Sequence, residues 1–102
     1  MKVITEKCKK ILSLHYGSKF KGLILYGSTA RRTNDRLSDI DLLVLLKQPF
    51  NYFRELRTIT TILYPVQLET NHLISARPVA IEDFKQGRLQ LYRNALKEGL
   101  RI

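Results

Sequence analysis

The chain has 102 residues, 44% of them hydrophobic, a single cysteine and a formal net charge of +9. That length suits one compact domain with a real core and excludes a second. No apolar run approaches the ~20 residues of a membrane span, and Cys8 has no second cysteine with which to close a disulfide. The charge favours an anionic ligand or partner and does not choose among nucleotide, nucleic acid and acidic protein.

Residues 1–7 carry charges where a signal peptide needs an apolar stretch, so the reading is the start of a folded, cytoplasmic domain. Residues 3–15 have helical spacing, with Val3, Ile4, Ile11, Leu12 and Leu14 apolar and lysines filling the other face. Cys8 lies among those lysines as a surface or half-buried thiol. Gly17-Ser18 stops the helix. Residues 20–26 form a strand whose continuous apolar run, Leu23-Ile24-Leu25-Tyr26, suits burial on both faces. Gly27-Ser28 breaks it, residues 29–32 allow one helical turn, and residues 33–38 are a polar loop.

A second strand covers residues 39–46, apolar apart from Asp39 and Asp41. Pro49 ends it and Asn51 is positioned to cap a helix over residues 52–63, with Phe53, Leu56, Ile59, Thr60 and Leu63 on one face. Pro65 stops that helix. Residues 66–81 are strand-like with an interruption at Thr70-Asn71-His72, and Pro78 places the later part at a sheet edge. Glu82-Asp83 opens a C-terminal helical region that Gly87 interrupts and Gly99 ends. The order of elements predicts an α/β (α+β) fold, a small mixed sheet covered by helices, in one domain over residues 1–102.

The chemistry concentrates between Leu25 and Leu46. An apolar strand delivers Gly27-Ser28, where glycine lets the backbone approach a ligand. The Ser28 hydroxyl and the nearby backbone N–H groups can donate to phosphate oxygens. Arg31, Arg32 and Arg36 follow and can neutralise more phosphate charge. Asp39-Ile40-Asp41 then heads a buried strand, so alternation sends both carboxylates to one side and Ile40 to the other. Two close carboxylates repel unless a cation neutralises them, and Mg2+ suits a few carboxylates plus waters and substrate phosphates. Each part alone has an ordinary structural reading; their conjunction makes a phosphate cradle, metal ligands and nearby cations.

This stretch resembles the signature of the DNA polymerase β-like nucleotidyltransferase superfamily: Gly-Ser, ten residues, Asp-x-Asp, here Gly27-Ser28 and Asp39-Ile40-Asp41. Tyr26-Gly27-Ser28-Thr29-Ala30-Arg31 and Ser38-Asp39-Ile40-Asp41-Leu42 are most similar to the minimal nucleotidyltransferases, often antitoxins paired with a helical HEPN-domain toxin. The resemblance implies that Gly27 and Ser28, with Arg31 and Arg32, hold a triphosphate and that Asp39 and Asp41 bind Mg2+. It further implies AMP transfer from ATP to an acceptor hydroxyl, a tyrosine of a HEPN toxin. The chain has Arg32 where the family often has glycine. Active members also carry a third carboxylate on a later strand, as ligand or base. Glu69, the only acid between Glu55 and Glu82, fills that role if a strand spans residues 66–70; if the strand is instead 73–81, no acid lies on it and Ser75 faces the site. The alternative is an antitoxin that neutralises its partner by binding. A nucleic-acid binder is weaker still, for want of an aromatic ladder and a basic tract.

Overall fold

The computed structural model describes residues 2–26 and 39–102. Helix α1 (Lys2–Tyr16) leads through a 3-10 turn (Gly17–Lys19) into β1 (Phe20–Tyr26). Strand β2 (Ile40–Leu46), helix α2 (Tyr52–Gln67), strand β3 (Ile74–Ala80), helices α3 (Ile81–Gln86) and α4 (Gln90–Glu98) and the short strand β4 (Leu100–Arg101) follow. The sheet order is β3-β2-β1-β4, with β2 parallel to β3 and β1 antiparallel to both β2 and β4. This is the small mixed sheet with helices that the pattern of elements predicts. None of the helices among the described residues is long and apolar enough to cross a membrane.

The near-unbroken apolar run of β2 has a physical reason: the strand is central and covered on both faces. Ile40, Leu42, Val44 and Leu46 join Leu23 and Leu25 of β1 under α1 and α2, where Cys8, Leu12, Ile59, Leu63 and Val66 complete one core. Leu43 and Leu45 join Ile24 on the opposite face, under Val79, Ile81, Phe84 and Ala95. Each such burial stabilises by roughly 1.5–3 kcal/mol, so β2 is the best-held element of the fold.

Several expectations need correcting. Helix α2 runs past Pro65 to Gln67. Pro65 lies two residues from the helix end and gives up one N–H donor, and continuing the helix offsets that loss by burying Val66 on the stripe of Ile59 and Leu63. The strand-like residues after Pro65 therefore split: 66 and 67 stay helical and only Ile74–Ala80 is strand. Phe53, placed on the buried face by spacing, is 74% exposed, and Val3 and Leu14 of α1 are exposed as well. Cys8 is fully buried among apolar neighbours, and that burial pushes its thiol up to about 11. Strand β4 was not expected, because two residues leave no periodicity to read.

Both sides of the β2–β1 pair are covered, and the outer edge of β3 is partly blunted. The Ile40 N–H donates to the Leu73 carbonyl at 2.8 Å. A parallel ladder continues from there in steps of two, so Ser75, Arg77 and Val79 turn their backbone groups to β2 and Ile74, Ala76 and Pro78 turn theirs outward. The Gln67 side chain takes two of the outer groups: its Oε1 accepts from the Ile74 N–H at 2.7 Å and its Nε2 donates to the His72 carbonyl at 2.8 Å. Pro78 has no N–H to offer. On the other border β4 pairs with Ile24 and Leu25, and the Ile102 N–H donates to the Leu23 carbonyl at 2.9 Å. The Arg101 guanidinium caps the Lys21 carbonyl at 2.8 Å. It lies over Gly22, whose φ of +145° and lack of Cβ leave room for it: a Cβ there would sit 2.7 Å from the guanidinium.

One cross-link ties α1 to α2. The Tyr16 hydroxyl donates to Glu55 Oε1 at 2.9 Å and the Arg54 Nε donates to Oε2 at 3.0 Å. Burial alone would raise the Glu55 pKa; the donations from Tyr16 and Arg54 outweigh it and hold the carboxyl below its usual value of 4.5. A depressed carboxylate stabilises the fold above its unfolded pKa and loses that contribution as pH falls through its folded pKa. Tyr16→Phe is expected to destabilise the neutral protein by roughly 1.5–3 kcal/mol and to make the loss of stability below pH 4.5 shallower. Urea denaturation of both proteins across pH 3–7 checks this; parallel curves count against the cross-link.

Candidate active site

Asp39 ends the segment before β2 and is exposed; Asp41 is the second residue of the strand and half-buried. The register places Asp41 beside Tyr26 of β1 on one side and Ser75 of β3 on the other. The next row along the same face is Ile24, Leu43 and Arg77. Alternation therefore puts Tyr26, Asp41, Ser75 and Arg77 on the α3–α4 face of the sheet. The apolar contacts of α3 and α4 are with Ile24, Leu43, Leu45 and Val79. Asp41 and Ser75 lie one row beyond, at the rim of that packing, and both remain half-buried.

The electrostatics mark Asp41 as a site under stress. Partial burial and then the neighbouring Asp39 charge push its carboxyl above the usual range, and Arg77 only partly opposes them. Tyr26 is pushed up too, first by burial and then by Asp41 and Tyr52, against Arg77. Burial, then Asp83 and Tyr52, act likewise on Tyr92, again against Arg77. Arg77 is thus the cation shared by Asp41 and two tyrosines on this face. Sequence reading missed it; the alternation of Ser75, Arg77 and Val79 along an edge strand was the signal that places it.

The pair is suited to a hard divalent cation. Its donors are carboxylate oxygens, and their mutual repulsion is what such a cation relieves. Among the described residues no group of three or more His, Cys, Asp or Glu is placed to hold a metal, so within them the candidate donors are the two carboxylates.

The position of Glu69 corrects one expectation. It lies in the turn after α2, and its carboxylate pairs with the Lys7 ammonium of α1. The strand that would have carried it beside Asp41 does not exist, because residues 66 and 67 belong to the helix. Ser75 occupies the β3 position in register with Asp41. His72 lies in the same connection, where its carbonyl accepts from the Gln67 side-chain amide and its backbone N–H donates to the Thr70 hydroxyl. Gly27, Ser28, Arg31 and Arg32 lie outside the described residues. Tyr26 and Asp41, on either side of that stretch in sequence, are in register on neighbouring strands.

A family model described as Polymerase beta, Nucleotidyltransferase matches residues 6–102, nearly the whole chain. The chain belongs to the polymerase β nucleotidyltransferase family. The matched residues take in both the Gly27-Ser28 and Asp39-Ile40-Asp41 signature and the strands of the mixed sheet, and the match supports a transferase. No curated protein matches the sequence.

Proposed function

We propose that this polymerase β-family domain transfers a nucleoside monophosphate, AMP from ATP, to an acceptor hydroxyl in a Mg2+-dependent reaction. The observation that carries the reading is Asp41: a half-buried carboxylate set beside a second one at the strand end that faces Gly27-Ser28 in sequence. Asp39 and Asp41 would hold the metal, which supplies charge neutralisation at the triphosphate. Gly27 and Ser28 would cradle the phosphates, and Arg31 and Arg32 would add positive charge. The acceptor oxygen forms a bond to the α-phosphorus, the bond from that phosphorus to the bridging oxygen breaks, and pyrophosphate leaves. The hydroxyl proton passes to solvent. The acceptor we propose is a tyrosine of a HEPN-type toxin, with the domain acting in the cytoplasm as its antitoxin.

A second reading has its own support. Ser75, and not a carboxylate, stands in register with Asp41, and Glu69 is held by Lys7. Both favour a weakly catalytic antitoxin that neutralises its partner by contact.

Titration calorimetry with ATP tests the metal assignment: binding is expected with Mg2+ and strongly reduced by chelation. Affinity that ignores chelation overturns it. Incubation of the purified pair with ATP then separates the two readings, since an increase in partner mass requires catalysis and neutralisation without it requires only binding.

A further inference from the structure

A second anion site lies at the far end of the sheet from the aspartates. β2 spans seven residues, and a pocket of about 280 Å3 opens beyond its Leu46 end. Its walls come from four places: His15 and Tyr16 at the end of α1, Lys19 before β1, Lys47 after β2, and Arg54 and Glu55 in the first turn of α2.

The backbone forces the two lysines together. The Lys47 N–H donates to the Lys19 carbonyl at 2.9 Å, stitching the end of β2 to the start of β1. Like charges held side by side, here just beyond the paired ends of β1 and β2, destabilise, and among the described residues neither lysine has an ion-pair partner. The one carboxylate in the wall does not relieve them. Both oxygens of Glu55 are already engaged, one by the Tyr16 hydroxyl and the other by Arg54. Glu55 therefore fixes the wall and orients Arg54, while the opening keeps an excess of positive charge.

We infer that this pocket binds a phosphoryl group, with Lys19 and Lys47 as its principal donors and Arg54 at its rim. Small-molecule pockets run from about 300 to 1,000 Å3, so this one takes a phosphate with little beyond it and not a whole nucleotide. A compact dianion suits two lysines that line one opening, each ammonium a point charge with three donors. The site stands apart from the proposed reaction centre, so it does not depend on the transferase reading. The phosphoryl group can be free phosphate or the end of a phosphorylated chain.

Inorganic phosphate titrated into the full chain, without Mg2+ and followed by amide NMR, tests the site. Saturable shifts are expected at the Lys19, Phe20, Lys47 and Phe50 amides. Lys19→Gln/Lys47→Gln should weaken that response by roughly tenfold or more. Asp39→Asn should leave it intact. The double variant should also melt no lower than the parent, because it loses only repulsion. A short oligonucleotide with and without a 5′-phosphate identifies the source: preference for the phosphorylated form assigns a chain end, and equal affinity with retained phosphate binding assigns the free ion. If those amides do not respond to phosphate, or the double variant responds as the parent does, the site is overturned. Should the double variant unfold, Lys47→Gln alone gives the same reading at smaller amplitude.

Discussion

Asp41→Asn is expected to abolish Mg2+-dependent nucleotide turnover while leaving the fold intact and somewhat more stable. The reasoning begins with the sheet. Asp41 sits on the central strand, between Tyr26 and Ser75, where partial burial and the Asp39 charge both work against its ionised form. An amide of the same shape removes that strain from the metal-free protein. It also removes half of the carboxylate pair. Metal-assisted charge stabilisation contributes several kcal/mol, so the loss of rate should reach roughly a thousandfold. Single-turnover assays and thermal melts of the same preparations check the two halves together. A lower melting temperature would make Asp41 a structural residue, and retained turnover would remove it from the reaction.

Ile40→Ala is expected to have the largest effect on stability. Ile40 separates the two aspartates in sequence but points the other way, fully buried in the core beneath α1 and α2. Truncating a residue so enclosed costs about 2–5 kcal/mol, because the cavity does not collapse completely. For a chain near 100 residues each kcal/mol moves the midpoint by roughly 4–8 °C, so a fall of about 10 °C or more is expected. The consequence for the site is indirect: the start of β2 loosens and the carboxylates lose their fixed spacing. Metal affinity should therefore drop in Ile40→Ala even at temperatures where the protein remains folded. Val3→Ala is the control, since Val3 is 65% exposed and should change neither quantity appreciably.

The parts of the fold that were legible in sequence are those where one local signal dominated. The apolar run of β1 suits a strand covered on both faces, the second strand reads as nearly all apolar, and both strands are covered on both faces. Asn51 reads as a cap and accepts from the Arg54 N–H at 3.0 Å. Gly87 reads as a break and closes α3 in the left-handed conformation, with φ +61°. Pro78 reads as an edge residue and lies on an edge strand. The failures fall where tertiary burial overrides local preference. Pro65 was read by what it removes, yet the buried stripe of Ile59, Leu63 and Val66 carries the helix through it. That single misreading displaced the whole connection to β3, and with it Glu69. Ser75 was legible as the residue facing the site once the strand is placed at Ile74–Ala80, whereas Arg77 was passed over because its importance shows only through register with β2. The basic pocket was hidden for the same reason: Lys19 and Lys47 are far apart in sequence and meet only through strand pairing.

The covered and blunted borders of the sheet bear on how this protein can associate at all. An open strand edge is an invitation to any extended chain, including a second copy of itself, and proteins that leave one exposed risk fibrous growth. Here the Gln67 amide imitates a neighbouring strand at one end of β3, Pro78 offers no donor at the other, and β4 with Arg101 covers much of β1. Recruitment by backbone zippering is thereby discouraged along most of both borders. Association must instead be negotiated through side chains, whose charge and shape can discriminate among candidates in a way that a generic row of amides cannot. The net charge of +9 works in the same direction, since it repels like copies and attracts surfaces of opposite charge.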